Sequence, residues 1–144
     1  MSSVSVRNLQ RATRVDLRQL RQFASRARQL CLARWSRRKS PLRSLTNVDV
    51  LLISDQRMAA LHEQFMHISG PTDVITFQHG EIFISVDTAR ENARHFRTSL
   101  DDELRLYIVH GLLHLHGFDD KSPAAAHKMA TAQKRIVAEA KERD

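Results

Sequence analysis

Two histidines and an aspartate in one short segment have the spacing of metal ligands. His110 and His114 are four residues apart, which places both imidazoles on one face of a helix, about one turn from each other. Gly117 is expected to end that helix in a left-handed conformation, so that the chain turns back and brings Asp120 to the same ion. The segment therefore predicts one zinc ion per chain, bound by His110, His114 and Asp120.

Three protein ligands would leave a fourth position on the zinc ion for water or substrate, as in catalytic zinc sites. Zinc lowers the pKa of a water molecule in that position to about 7, which makes hydroxide available at neutral pH. Asp119 and His127 are alternatives to Asp120 as the third ligand. His116, two residues beyond His114, is expected to face another way, in a structural role or towards the substrate.

Metzincin peptidases share this spacing of two histidines and a glycine. Those enzymes also need a glutamate directly after the first histidine, where it acts as the general base. That position is Gly111 here. The sequence therefore retains the metal-binding pattern and lacks the base for peptide hydrolysis, which argues against a peptidase.

The helix that carries the histidines is predicted from about residue 99 to residue 115. Its residues are apolar nearly all round, so we expect the helix to be buried. Ser99 and Asp102 have the form of a capping box at its start.

The remaining pattern predicts a single α+β domain, residues 1–144, with a four-stranded mixed sheet and about five helices. Periodicity and turn residues predict strands, the last two of them a hairpin, at residues 4–8, 47–54, 73–77 and 81–86. A basic loop is expected at residues 36–44, a turn at residues 70–72, and a charged tail after the last helix. Asp16 and Asp87 are expected to cap two further helices, and the others are expected to begin at Asp55 and at Ser122-Pro123.

Basic residues are concentrated in the first third of the chain. Residues 1–45 contain eleven Arg and one Lys against a single acid, Asp16, a net charge of +11. Because the whole chain carries +7, the remainder carries −4. Such asymmetry is typical of proteins with a polyanionic partner, usually RNA or DNA. The alternatives are a solvated helix face whose Arg stems cover apolar surface, and binding to an anionic membrane surface.

Composition indicates a cytoplasmic protein. Apolar residues make up 42% of the chain, enough for a hydrophobic core. The single cysteine, Cys31, excludes an internal disulfide and a multi-cysteine zinc site. No stretch approaches the ~20 apolar residues that span a membrane, and no signal peptide is recognisable. We therefore expect neither membrane contact nor a small-molecule cofactor.

Three blocks of the sequence resemble those of a known family. Residues 110–120 are similar to the pattern His-Gly-x-Leu-His-Leu-x-Gly-Tyr-Asp-His. Residues 71–77 resemble Pro-Thr-Asp-Val-Leu-Ser-Phe, and residues 80–85 resemble Gly-Asp-Ile-x-Ile-Ser. In this order and spacing, the blocks resemble the bacterial rRNA maturation factors, the YbeY-type single-strand endoribonucleases.

The resemblance implies a zinc-dependent endoribonuclease in 16S rRNA 3′-end maturation and ribosome quality control. Its expected partners are single-stranded RNA of the 16S rRNA precursor and the small ribosomal subunit. It also implies zinc bound by His110, His114 and the residue at position 120, with RNA in a basic groove nearby. Thr72 and Asp73 either orient the substrate or serve only as turn residues. The full set of candidate RNA-binding residues is Thr72, Asp73, Arg18, Arg21 and Arg28.

Two positions depart from the family pattern. Asp120 replaces the third histidine, which lowers the charge of the site by one unit, weakens the acidity of the bound water and favours harder ions. Met66 stands where the family usually has an arginine, and a cation there would stabilise charge that develops on the scissile phosphate.

Either Arg57 or an arginine of the first helix supplies the positive charge that Met66 lacks, or the protein is a slow or inactive nuclease. The alternative functions are a non-catalytic, metal-stabilised ribosome- or RNA-binding factor, and a metallohydrolase of another substrate.

Overall fold

A four-stranded mixed sheet organises the chain. The computed structural model describes residues 3–70 and 72–141, so Pro71 of the predicted turn and the end of the charged tail lie outside the described residues. The sheet order is β1-β2-β4-β3; β1, β2 and β4 are parallel, and β3 pairs antiparallel with β4. The predicted mixed sheet and hairpin are therefore confirmed. The strands are β1 Ser3–Asn8, β2 Asn47–Ile53, β3 Val74–Phe77 and β4 Glu81–Ser85.

The described residues form six helices, one more than the sequence predicted. The additional helix is a single turn in the expected basic loop, with Ser40 as its N-cap and Pro41 as its first residue. None of the helices in the described residues is long and apolar enough to cross a membrane. The helices are α1 Leu17–Arg34, α2 Pro41–Ser44, α3 Asp55–Met66, α4 Val86–Phe96, α5 Leu100–Leu115 and α6 Pro123–Lys141.

The two faces of the sheet are covered unequally. Alternate residues of β2 and β4, such as Val50 and Ile82, join α1, α5 and α6 in the main core. On the other face a smaller cluster is formed by Ile53, Met58 and Ile75, where α3 packs. Because α5 lies on the fully covered face and is apolar nearly all round, it is buried as predicted.

Serines cap the two helices that follow β2 and β4. Ser54 and Ser85 each accept a hydrogen bond from the backbone N–H three residues later. The prediction that Asp87 caps α4 is therefore wrong. Asp87 accepts instead from the backbone N–H of Asp55 at 2.8 Å, because the adjacent parallel strands β2 and β4 start their helices side by side.

Part of the basic first third has a structural role. Arg28 is only 2% exposed and donates to the carbonyl oxygens of Ser3 and Leu42 at 2.8 and 2.9 Å. Burial lowers the pKa of its guanidinium group. The expectation that Arg28 contacts RNA is therefore wrong, since its Nη1 and Nη2 groups donate to backbone carbonyls inside the fold.

The thiol of Cys31 should be inert in the folded protein. Cys31 is fully buried on α1, and burial raises the pKa of its thiol to about 12. Because the thiolate is the reactive form, we expect no labelling by a disulfide reagent at mildly alkaline pH, and one thiol per chain after denaturation. Rapid labelling of the native protein would contradict the packing of α1.

Gly111 allows α5 to approach the sheet closely. A Cβ atom at this position would lie 2.7 Å from Cγ2 of Ile82, a fully buried side chain of β4. Alanine is the better helix former by about 1 kcal/mol, but overpacking costs about 1–3 kcal/mol. We therefore expect Gly111→Ala to lower the free energy of unfolding, measured by chemical denaturation.

A double-mutant cycle with Ile82→Ala provides the control. In that background the clash is absent, so Gly111→Ala should be neutral or stabilising. Stabilisation by Gly111→Ala in the wild-type background would show that the close contact does not constrain α5.

Candidate metal centre

The last turns of α5 present His110 and His114 on one side of the helix. Their Nε2 atoms are 3.0 Å apart. One ring nitrogen of each histidine and one carboxylate oxygen of Asp120 all lie within 4.8 Å of one another. Two tetrahedral zinc ligands at ~2.0–2.1 Å would be roughly 3.3 Å apart, close to the observed separation. The donor types and their spacing therefore fit a metal ion.

A Schellman motif ends α5 and positions the loop that carries Asp120. Gly117 has a φ of +94°, which confirms the predicted left-handed turn. The N–H of Gly117 donates to the carbonyl of His114 at 3.0 Å, and the N–H of Phe118 donates to the carbonyl of Leu113 at 2.9 Å. These two bonds close the helix end and reverse the chain towards the histidines.

Both histidines are oriented by hydrogen bonds at Nδ1. His114 Nδ1 donates to the carbonyl oxygen of Phe118 at 3.1 Å, and His110 Nδ1 donates to Oε1 of Gln133 in α6 at 2.8 Å. Because these oxygens only accept, the two Nε2 lone pairs face each other and repel unless a cation lies between them. Burial, together with His110, lowers the pKa of His114 and so favours the neutral form that binds metal.

A cavity of about 250 Å³ gives access to the histidine pair between α5 and the edge strand β3. Met66, which is 44% exposed, lines this cavity together with both histidines and with residues of β3. The position at which the resemblance expects an arginine therefore lies beside the candidate metal centre. On the other side, Asp120 and His110 line a smaller cavity of about 180 Å³ against α6.

Neither alternative third ligand joins the histidine pair. Asp119 Oδ1 accepts from the backbone N–H of Lys121 at 3.0 Å, a bond within its own loop. His127 lines a different cavity, together with Trp35. In the described ranges, the group that contains Asp120 is the only one with the spacing of metal ligands.

Thr72 and Asp73 form hydrogen bonds within their own segment. Asp73 Oδ1 accepts from the backbone N–H of Val74 at 2.8 Å and from the hydroxyl of Thr72 at 3.4 Å. Asp73 also lines a separate cavity with Tyr107 and Asn92. These contacts favour turn chemistry over a role in orienting a substrate.

The arginines considered as substitutes for the missing cation lie elsewhere. Arg57 is in the first turn of α3, nine residues before Met66, which corresponds to ~14 Å along the helix axis. Arg21 donates to the carbonyl oxygen of Val6 in β1, the edge of the sheet opposite β3, and Arg18 precedes it in the same helix. The histidine cavity therefore contains none of these three arginines.

His116 has the structural role that the sequence left open. Its ring is fully buried; Nε2 donates to the carbonyl of Trp35 at 2.7 Å, and Nδ1 accepts from the hydroxyl of Ser40 at 2.8 Å. Burial lowers the pKa of this ring, which keeps it neutral. His116 thereby ties the end of α5 to the segment between α1 and α2.

Two contacts of the candidate centre were not predicted. Gln133 orients His110. The sequence indicates this role only in that Gln133 is a polar residue on the apolar face of α6, between Met129 and Ile136. Arg37 donates to the carbonyl of Gly117 at 3.2 Å. No pattern distinguishes Arg37 from the other arginines of residues 1–45.

Comparison with known proteins identifies the family. The family model described as Endoribonuclease YbeY matches residues 5–141. The endoribonuclease YbeY of Bacteroides thetaiotaomicron is 36% identical over 101 residues, covering 65% of this chain and 74% of that protein. That of Acidothermus cellulolyticus is 32% identical over 131 residues, covering 76% and 80%.

A solved structure has the same fold. The solution structure of TM1509 from Thermotoga maritima superimposes with a TM-score of 0.65 at 25% identity, covering 95% of this chain and 88% of that one. The family match extends over nearly the whole chain, from within β1 to the end of α6, and includes the candidate metal centre. The chain therefore belongs to the YbeY endoribonuclease family.

Proposed function

We propose that the protein is a zinc-dependent endoribonuclease that cleaves single-stranded RNA. Its proposed role is 16S rRNA 3′-end maturation and ribosome quality control, in contact with the small ribosomal subunit. Family membership supports the nuclease activity. Metal dependence is supported above all by the two Nε2 atoms of His110 and His114, which face each other beside Asp120.

The protein's own residues provide orientation and charge in this proposal. The carbonyl of Phe118 and the amide of Gln133 hold the imidazoles by Nδ1, so that both Nε2 atoms would be free to bind the ion. Zinc bound there would supply a Lewis acid and would lower the pKa of a water molecule. The cavity beside β3 gives a phosphodiester access to the centre, and the negative charge of Asp120 moderates the acidity of the site.

Two other functions are distinguished by particular residues. Peptide hydrolysis of the metzincin type has no support, because Gly111 packs against Ile82 where a general base would be required. A non-catalytic RNA- or ribosome-binding factor is favoured by Met66, which places a thioether rather than a cation beside the histidines.

The metal and the activity can be tested together. We expect about one zinc per chain by elemental analysis, and loss of most of it in His114→Ala. Because a catalytic metal supplies several kcal/mol of transition-state stabilisation, cleavage of single-stranded RNA by this variant should fall at least ~100-fold. His95→Ala, which removes an exposed histidine of α4, should retain both metal and activity.

The outcomes separate the proposal from its alternatives. A folded His114→Ala protein that cleaves RNA as fast as the wild type would exclude a metal-dependent reaction. Stoichiometric zinc in a wild-type protein that rescues rRNA processing but does not cleave RNA would favour the non-catalytic factor.

A cation introduced at position 66 should accelerate cleavage. Met66 is exposed, so Met66→Arg should fold normally. Its guanidinium group would stabilise charge that develops on the phosphate, and we expect the single-turnover rate to rise about tenfold or more. Met66→Gln is the control for side-chain length and polarity. Equal rates for all three proteins would show that the missing arginine does not limit activity.

A further inference from the structure

A larger cavity, of about 520 Å³, lies beside the loop that follows α5. This Trp35 cavity is an open depression bordered by the segment after α1, Phe118 and one face of α6. Its volume lies in the range of sites for small molecules. Its lining residues are Trp35, Arg37, Phe118, His127, Lys128, Thr131, Ala132 and Arg135.

The Trp35 cavity is positively charged. Three of its lining residues are cations and none is a carboxylate. The nearest acid on α6, Glu139, accepts from Arg135 at 3.0 Å and from Arg34 at 2.8 Å. One carboxylate shared by two guanidinium groups leaves a net positive charge around the cavity, and such a surface attracts an anion.

The aromatic rings of the Trp35 cavity are held in place. Trp35 and Phe118 pack edge to face, with ring centroids 5.2 Å apart. The guanidinium carbon of Arg37 lies 4.1 Å from the centroid of Phe118, which fixes this cation over the ring. Trp35 itself is only half-buried. A partly exposed indole beside fixed cations suits an unpaired base that stacks while its phosphate is neutralised.

The Trp35 cavity and the candidate metal centre are both formed by Phe118 and by residues of α6. The ring of Phe118 lines the cavity, whereas its carbonyl oxygen accepts from His114. On α6, Lys128 lines the cavity and Gln133 orients His110. Since a helix is ~10 Å wide, the two sites lie on adjoining surfaces of the same helix. A strand bound at the metal centre can therefore extend to the cavity.

We propose that the Trp35 cavity is a nucleotide subsite for a flank of the single-stranded RNA substrate. An unpaired base stacks against Trp35, and the adjacent phosphate is bound by Lys128 and Arg37. This subsite rests on the proposed nuclease function. It assigns substrate binding to Arg37 at the end of the basic first third, rather than to Arg18 or Arg21 near its middle.

Binding in the cavity can be measured by the fluorescence of Trp35, because it is the only tryptophan in the chain. The probe is a short 2′-O-methyl oligouridylate added to the zinc-loaded protein, and denaturing gel electrophoresis verifies that it stays intact during the measurement. We expect saturable quenching of Trp35 fluorescence over the concentration range in which the anisotropy of a labelled oligouridylate rises. Both signals should report the same dissociation constant.

The variant Lys128→Ala tests the phosphate contact. It should weaken binding roughly fivefold at low salt, and reduce the slope of log K against log salt by about 0.7, as for one phosphate on a single strand. Lys134→Ala removes the same charge from the same helix outside the cavity lining, so it should bind like the wild type.

The results distinguish failure of the subsite from failure of the proposed function. If the wild type binds and cleaves RNA, but Trp35 fluorescence is unchanged and Lys128→Ala behaves like Lys134→Ala, the subsite is wrong and the nuclease function stands. If the wild type neither binds nor cleaves RNA, both fail.

Discussion

The close packing of α5 against the sheet is the constraint on which the candidate site depends. Contact between Gly111 and Ile82 brings the helix so near to β4 that no Cβ fits at position 111. A helix held in this way keeps His110 and His114 in fixed relative positions, which reduces the conformational entropy lost on binding a metal. The same contact leaves no room for a glutamate after the first histidine. The packing that positions His110 and His114 is therefore incompatible with the general base of a metzincin peptidase.

The end of α5 also determines the tautomer of His114. Because the Schellman motif at Gly117 brings the carbonyl of Phe118 to Nδ1 of His114, a main-chain atom determines that Nε2 is the ring nitrogen that faces His110. Such an orienting group does not depend on the side chain at that position. Asp120 lies beyond the motif on an exposed loop, where packing restricts the type of residue less than it does on α5.

The sequence predicted those features that depend on local spacing. A capping box and a nearly continuous apolar stretch located α5, the histidine pair followed from the helical repeat, and the left-handed turn followed from Gly117. The errors concern contacts across the fold, such as Asp87 with Asp55, Arg28 with Leu42, and the missed partner of His110 in α6, which join residues 14 to 32 positions apart. Arginine was the most ambiguous residue, because one guanidinium group can bind either phosphate or backbone carbonyls.

His116 has a consequence for the dynamics of the molecule. Its ring joins Trp35 and Ser40, which are 81 and 76 residues earlier in the chain. Opening either segment would leave a buried imidazole nitrogen without a partner, at a cost of about 1–3 kcal/mol. The segment after α1 and the end of α5 should therefore open as one cooperative unit. A ligand that orders one of these segments would also order the other. Binding at the candidate metal centre and binding in the Trp35 cavity would then be coupled through reduced flexibility, without a change of conformation.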